Sequence, residues 1–464
     1  MRYFIFFIFL FIISTGFAHE TGSFHTHGPV IHDSYGDEFI AKGANRNGGI
    51  RNSWCDDFAA DMECFIDLWQ FNTVRVVNKM WDSYWQGDIV SDCTPVQDIS
   101  DLPARVQKYT DLGLVVILDW HAVGDYATSS ASETSENLNE MLDFWRQVAD
   151  LFKDNNNVWF NIYNEPGDMD NNNRDQRREK WVTMHQEAIR VIRDEVGANN
   201  MIVVGGWSWG QDTGPAWDAA KIKTENSAIL SAGDRVITFD PGYGDGEHTY
   251  ENIIFDVHIY DQWDKGTQAE QNERLADYID RVHAKDFALI IGEYASKTDD
   301  HQTATKAVHA VAPEKKVGRI IWAFREGTRG DLLCKDGECA VEFDDNDQPT
   351  NLTWVGELVW ADNYGLNTGV QDRDVVVMDF ELSQNYPNPF NPSTSITYRL
   401  RQAEHVRLQV YDLNGRVVAT LVNSMQSAGR HTVQFTDPGL PSGTYFYKLT
   451  TENDSKTRKM LLIR

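Results

Sequence analysis

Between Phe39 and Trp360 the chain alternates two patterns. Short apolar runs rich in Val, Ile and Phe are separated by longer stretches whose apolar residues recur at three- and four-residue spacing. The first pattern suits strands buried on both faces, the second amphipathic helices. Strands are predicted at Phe39–Gly43, Thr73–Val77, Val115–Asp119, Val158–Asn164, Met201–Gly205, Ile253–Tyr260, Ala288–Glu293 and Arg319–Phe324. Helices are predicted at Phe58–Trp69, Asp98–Leu112, Glu136–Lys153, Arg177–Val196, Asn272–Lys285, Thr303–Ala312 and Thr353–Trp360. Eight such units in about 340 residues predict an α/β fold, a (β/α)8 TIM barrel. The competing architecture, a doubly wound open sheet, would place a Gly-rich phosphate loop after a strand, and none follows any of the eight.

In a barrel, side chains from different strands converge at the strands' C-terminal ends. Arg75 lies in the second strand, Asp119-Trp120-His121 ends the third and Asn164-Glu165 the fourth. Trp207-Ser208-Trp209 follows the fifth, His258-Ile259-Tyr260 ends the sixth, Glu293 the seventh, and Trp322 lies in the eighth. Chance would scatter such groups to both rims. Pro166 cannot donate to a ladder, so its strand stops with Glu165 at the exit of a buried run, where burial raises a carboxyl pKa. Glu293 closes a similar run. Two carboxylates so placed suit paired acid and nucleophile chemistry at a glycosidic bond. Taken singly, the Glu165 motif does not exclude a cap on a following helix, and Arg75 reads equally as a structural ion pair and His121 as a core histidine. Convergence carries the functional reading.

The Arg75, His121, Asn164-Glu165, His258-x-Tyr260, Glu293 and Trp322 series, in that order, resembles glycoside hydrolase family 5, the cellulase and mannanase group of retaining β-glycanases. The resemblance covers roughly residues 39 to 365 and implies that Glu165 is the acid/base and Glu293 the nucleophile. It implies that Arg75 keeps Glu293 ionised, Tyr260 orients it, and Asn164 bonds the sugar 2-hydroxyl. His121 and His258 would bond the carboxylates or the sugar, and Trp322 would offer a ring for a sugar face. No cofactor and no metal are expected. Trp209-Gly210-Gln211-Asp212 is similar to a segment of bacterial mannanases, whereas Asp261-Gln262-Trp263 and Phe324-Arg325-Glu326 depart from that pattern. β-Mannan is therefore placed slightly ahead of β-glucan. The rivals are a non-catalytic polysaccharide-binding barrel, which would need neither glutamate, and a metal-dependent hydrolase, which would need a strand-end ligand pair.

Tryptophans Trp69, Trp145 and Trp181 fall in helical patterns and read as core, while Trp54, Trp81, Trp85, Trp207, Trp209 and Trp263 fall in rim loops, where sugar subsites would lie. His25, His27 and His32 precede the first convincing strand and read as exposed lead-in residues rather than a metal site. Around the turn Ser34–Asp37, Val30-Ile31 and Phe39-Ile40 are expected to form a small hairpin under the barrel.

The net charge of −28 argues against nucleic acid or a polyanion as partner and favours a neutral polysaccharide. Met1–Ala18 has the positive, apolar and small-residue regions of a signal peptide, and its eleven-residue apolar stretch, Tyr3–Ile13, is too short to span a bilayer. No transmembrane segment is expected, and a monomer is. The five cysteines match no zinc spacing. Cys334 and Cys339 are expected to close a loop tip, Cys55 or Cys64 is a second candidate to pair with Cys93, and one thiol is left over.

From Glu381 onward Lys and Arg number ten against six Asp and Glu, a balance of +4 that leaves −32 for residues 1–380. That shift places a boundary near residue 380: a barrel over 19–367, a linker over 368–380 and a second domain over 381–464. The second domain opens on a proline-rich extended segment, followed by alternating runs at Ser395–Leu400, Val406–Tyr411, Val417–Val422, His431–Phe435, Gly443–Thr450 and Lys456–Ile463. These predict a small all-β sandwich. A carbohydrate-binding module using Tyr445 and Tyr447 is one reading. Asn385-Tyr-Pro-Asn-Pro-Phe-Asn-Pro392, the Leu413-Asn-Gly415 turn, Pro441-Ser-Gly-Thr-Tyr445 and the basic terminus instead resemble the C-terminal sorting domain of the type IX secretion system. That resemblance implies the type IX machinery as partner and a secreted protein, extracellular or held at the outer-membrane surface.

Overall fold

The computed structural model describes residues 22–47, 62–78, 99–122, 131–167, 174–213, 221–295, 301–324, 333–334, 349–364 and, with short gaps, 381–463. Eight parallel strands form a closed barrel: β1 (Lys42–Asn47), β2 (Thr73–Asn78), β3 (Val115–Trp120), β4 (Val158–Asn161), β5 (Ile202–Gly205), β6 (Ile253–Ile259), β7 (Ala288–Tyr294) and β8 (Gly318–Ile321). Each strand lies beside its sequence neighbours, and β8 pairs with β1 through Ile320 and Gly43. β1 sits three residues later than its apolar run predicts. Phe39 is drawn out of the ladder because it packs edge-on against Phe24, with ring centroids 5.0 Å apart.

The helices fall largely where the amphipathic pattern puts them, with one addition. Ala228–Ile237 is a helix that the pattern does not announce, capped by Ser227, whose hydroxyl accepts from the Leu230 N–H. The N-terminal lead-in also differs from expectation. Val30–His32 pairs antiparallel with His25–His27, and the expected turn closes through a His32–Glu38 bridge, with the Phe39 N–H donating to the Ile31 carbonyl and the Asp33 N–H to the Asp37 carbonyl, each at 2.8 Å. The hairpin carries Phe24 and Ile31 onto the lower interior of the barrel, against Val115, Trp159, Ile254 and Ile290. His25 and His32 stack on each other at this lower end, with centroids 5.1 Å apart.

Strand alternation divides the barrel interior in height. Val115 and Ile117 of β3, Trp159 of β4, Ile254 of β6 and Ile290 of β7 fill the lower part with apolar volume. One step up, at the same parity, stand Asn45, Arg75, Asp119, Asn161 and Asp256, all fully buried. Polar groups so buried are tolerated only where they satisfy one another.

Outside the strands, Trp354–Asn363 is the last helix of the barrel region. Its Asp362 takes a two-pronged ion pair from Arg319 of β8 and meets His309 Nδ1 at 3.0 Å. Burial alone would raise the Asp362 carboxyl, but His309 and Arg319 outweigh it and hold it well below the usual carboxylate range. Asp362→Ala is expected to lower stability by about 3–5 kcal/mol, because the buried Arg319 charge loses its counterion. The contribution should be present above the ordinary aspartate pKa of about 4 and disappear as pH falls through the depressed value. Chemical denaturation at neutral and acidic pH reads both effects; a midpoint indifferent to the substitution at neutral pH would sink the assignment.

The C-terminal strands form two antiparallel sheets, one of Glu381–Leu382, Ser393–Leu400 and Gly429–Thr436, the other of Glu404–Tyr411, Val417–Gln426, Gly443–Thr450 and Ser455–Leu462. They share one apolar cluster that includes Leu382, Ile396, Leu408 and Leu449. Tyr445 and Tyr447 belong to that core. Tyr445 donates to the Pro441 carbonyl and the Tyr447 hydroxyl accepts from the Asn385 N–H, so neither ring is a sugar platform.

Cys64 is disulfide-bonded, and its partner lies outside the described residues, as do Cys55 and Cys93. Cys334 is buried, and the expected bridge to Cys339 likewise reaches outside them.

Candidate active site

Arg75 organises the upper interior. It lies on β2 with its guanidinium fully buried and fans out to four other strands or strand exits. Nη1 donates to Asn45 Oδ1 at 2.8 Å and to Glu293 Oε1 at 2.7 Å. Nε and Nη2 donate to Asn161 Oδ1, and Nη2 also reaches Asn164 Oδ1 at 2.5 Å and Asp119 Oδ2 at 3.0 Å. Burial works against the charge, yet Asp119, Glu293 and Asp256 outweigh it, so Arg75 is a permanent cation.

Glu293 faces this cation because β7 is irregular. Ile290 belongs to the interior cluster and Ile291 to the cluster beneath the helices, so strict alternation would turn Glu293 outward. The β6–β7 register slips between Val257–Ile291 and His258–Glu293, leaving Gly292 as an extra residue. The bulge returns Glu293 to the interior and sends Tyr294 out to His309. Side chains satisfy the freed peptide: Gly292 N–H donates to Asp256 Oδ1 at 2.6 Å, and its carbonyl accepts from Asn45 Nδ2 at 2.8 Å. A side chain at 292 would place its Cβ 2.3 Å from Asp256 Oδ2, which fixes glycine there.

Glu293 Oε2 accepts from the Tyr260 hydroxyl at 3.0 Å. Burial pushes the Glu293 carboxyl up, His258 and Arg75 pull it back, and Glu165 pushes it up again. Glu293 is the more deeply buried of the pair: its side chain is 5% exposed against 16% for Glu165. Glu165 Oε1 meets His258 Nδ1 at 2.9 Å. Burial opposes charge on His258, but Glu293, Asp256 and Glu165 overcome it and the imidazole is pushed up to about 10. Tyr260 is raised well above the usual phenol by burial and by the two glutamates, and stays a donor.

His121 is tied into the same constellation indirectly. Its Nδ1 meets Asp119 Oδ2 at 2.9 Å, and its ring stacks on Trp322 with centroids 5.6 Å apart. Trp322 and Trp209 are both partly exposed. Ser208, Trp209, Gly210 and Asp212 all adopt left-handed backbone, which folds the loop after β5 tightly. Gly210 is required there: a Cβ would lie 2.6 Å from the His258 ring, and the His258 backbone N–H donates to the Gly210 carbonyl.

This loop is knitted to the one after β6. Gln211 Nε2 donates to Asp261 Oδ1 at 3.0 Å, and its Oε1 accepts from Gln262 N–H at 3.1 Å. Trp263 Nε1 donates to the Gln211 carbonyl, and Thr213 bonds the Gln262 side chain. Behind the loop, burial raises the Asp212 carboxyl to about 6 against hydrogen bonds from Ser227, Tyr278 and two helix N–H groups.

Arg75, Asn164, Glu165, His258, Tyr260 and Glu293 are therefore joined by direct contacts, with His121 and Trp322 beside them. Two rim tryptophans are not platforms. Trp207 is buried with Nε1 on the Asn226 carbonyl, and Trp263 is completely buried. Trp54, Trp81 and Trp85 lie outside the described residues. Asn45, Asn161 and Asp256 are absent from the predicted set. Their signal is parity: each is a polar residue within a buried strand, in step with an interior neighbour such as Trp159 or His258.

One ligand atom from each of Glu165, His258 and Glu293 lies within 4.8 Å of the others, close enough to hold a cation. The chemistry of the donor set does not fit one. His258 Nδ1 faces Glu165, and the surrounding carboxylates keep the ring protonated, so it offers an N–H where a metal needs a lone pair. What the arrangement offers is two carboxyls close together, one held by a guanidinium and a phenol, the other by an imidazolium.

A family model described as cellulase (glycosyl hydrolase family 5) matches residues 32–327, and one described as a secretion system C-terminal sorting domain matches residues 384–463. The chain is 23% identical over 313 residues to a mannan endo-1,4-beta-mannosidase of Salipaludibacillus agaradhaerens, covering 67% of this chain and 84% of that one. It is 26% identical over 343 residues to endoglucanase A of Butyrivibrio fibrisolvens, covering 72% and 68%. Among solved structures, the catalytic domain of a mannanase from Streptomyces sp. SirexAA-E superposes with a TM-score of 0.52 at 21% identity, covering 76% of this chain and 94% of that one.

Proposed function

From the premise that the chain belongs to glycosyl hydrolase family 5 and ends in a secretion sorting domain, we propose that it is an exported retaining endo-β-1,4-glycanase acting on neutral polysaccharide. The observation that supports the retaining mechanism is the close approach of Glu165 and Glu293: one carboxylate oxygen of each lies within 4.8 Å of the other's. Retention needs carboxyls about 5–5.5 Å apart, whereas inversion needs room for a water between carboxyls roughly 6.5–9.5 Å apart.

Glu293 is the nucleophile. Its ionised form is the one that both Arg75 and Tyr260 bond, and it attacks the anomeric carbon to form a glycosyl-enzyme. Glu165 is the acid and then the base. His258 donates to its Oε1, so the transferable proton sits on Oε2, free to meet the leaving oxygen. In the second step the same oxygen takes a proton from the water that releases the sugar. Asn164 turns its carbonyl to Arg75, which leaves its amide N–H to donate to the sugar 2-hydroxyl. His121 and Trp322 form an aromatic wall for a sugar face, and Trp209 extends it across the rim.

β-Mannan is placed slightly ahead of β-glucan on the Trp209-Gly210-Gln211-Asp212 loop, which lies against His258. The C-terminal strands serve export by the type IX system to the cell surface or beyond. Among the described residues no helix is long and apolar enough to cross a membrane. The test is reducing-sugar release from mannan, glucomannan, carboxymethylcellulose and β-1,3-glucan, with the anomer of the first product read by NMR. Hydrolysis of a β-1,4-polymer with initial β-anomer is expected. Initial α-anomer would overturn the mechanism, and cleavage of β-1,3-glucan alone would overturn the linkage.

A further inference from the structure

Asp256 is completely buried on β6, two residues before His258, and no step above uses it. Its two oxygens face the two halves of the site. Oδ1 accepts the Gly292 N–H that the β7 bulge leaves unpaired, one residue before Glu293. Oδ2 lies 3.5 Å from His258 Nε2, on the far side of the ring from Glu165. Among the described residues neither Oδ2 nor Nε2 has any closer partner. We propose that Asp256 is the positioning residue of this site: one oxygen braces the bulge that turns Glu293 inward, and the other holds His258 as the cation that donates an N–H to Glu165. The inference deepens the retaining-glycanase reading and rests on it for its kinetic test.

The physical case is one of placement. A neutral imidazole at His258 could carry its proton on either nitrogen, and one tautomer would turn a bare Nδ1 toward Glu165. A carboxylate behind Nε2 favours a proton there, and Glu165 and Glu293 in front of Nδ1 favour one on that side too. The groups facing the ring are Glu165 from the exit of β4, Glu293 from β7, Asp256 from its own strand and Tyr260 just past that strand's end. Arg75 from β2 and His121 beside β3 act through the same carboxylates. The balance is negative, consistent with the strongly raised His258. Asp256 is the one carboxylate of this set aimed at the ring from behind, out of reach of a sugar.

The experiment compares Asp256→Asn with the parent. Asparagine keeps an oxygen for the Gly292 N–H but removes the charge. Losing a negative charge weakens every proton-binding step of the Glu165–His258–Glu293 unit. Both limbs of the kcat/KM pH profile should therefore move to lower pH, the alkaline limb by about one unit or more. Limbs that superpose on the parent's, or a uniform fall in rate without a shift, would overturn the proposal. Should the variant fail to fold, the parent protein decides. With 15N-labelled histidine, and His258→Asn to assign the signal, both ring nitrogens of His258 should show imidazolium shifts at neutral pH and still above pH 8. A neutral tautomer at pH 7 would overturn it. A parent inactive on every β-1,4-polymer would defeat the glycanase reading, while the histidine signal would still report on Asp256.

Discussion

Glu293→Ala is expected to stop polysaccharide turnover, lowering kcat by on the order of 10^4-fold or more, the scale on which hydrolases suffer from loss of a nucleophile. The cavity left by the side chain admits azide, which should restore turnover on an activated aryl glycoside and yield the α-glycosyl azide, because azide enters from the face the carboxylate vacated. Glu165→Ala should behave differently. An aryl glycoside with a good leaving group needs no proton, so its first step should survive, and azide arriving after that step should give the β-glycosyl azide. The two products separate nucleophile from acid/base without appeal to rate. An α-azide from Glu165→Ala would exchange the assignments.

Arg75→Met carries the next largest expectation, on both stability and rate. The substitution leaves Asp119 and Glu293 as buried carboxylates without their cation, and takes the donor from the carbonyls of Asn45, Asn161 and Asn164. Removing one partner of such a network costs about 3–5 kcal/mol. Glu293, already pushed up by burial, should rise further once Arg75 no longer pulls it back. The acid limb of the pH profile therefore moves to higher pH, opposite in sign to the Asp256→Asn shift. Loss of kcat/KM by roughly 10^2–10^3 at the optimum is expected, the range for removing one preorganised donor. Arg75→Lys should recover part of the stability and little of the rate, since an ammonium cannot reproduce the planar fork. Calorimetry and pH–rate profiles read these together, and an Arg75→Met protein as stable as the parent would refute the account.

That the two glutamates, Arg75, Asn164, His258 and Tyr260 gather at one end of the barrel is legible in the chain, because apolar runs mark the strands and the barrel's geometry says which end their exits share. Asn45 was hidden by a boundary: the apolar pair Phe39-Ile40 suggests a strand, but Phe39 spends its surface on the floor of the barrel and β1 begins later. Asn161 and Asp256 were hidden by their position, since a polar residue inside a strand is not a strand-end motif. Alternation alone would turn Glu293 outward. Its inward direction depends on a bulge at Gly292, and nothing local in Ala288–Glu293 specifies which residue the partner strand will skip. Trp207 and Trp263 show that an aromatic in a rim loop can equally be the loop's own anchor, as the Trp207 bond to the Asn226 carbonyl and the Trp263 bond to the Gln211 carbonyl make them.

The stitching of the loops after β5 and β6 bears on how this rim can be remodelled. Gln211 and Gln262 each satisfy a group in the opposite loop, so transplanting either segment alone from another barrel would orphan buried amides in the one that stays. The unit of exchange is the pair, residues 208–213 with 261–263. Variation in what the enzyme accepts is thus expected to travel as coupled double-loop changes, and a library that diversifies one loop at a time will lose folded members faster than it explores new sugars.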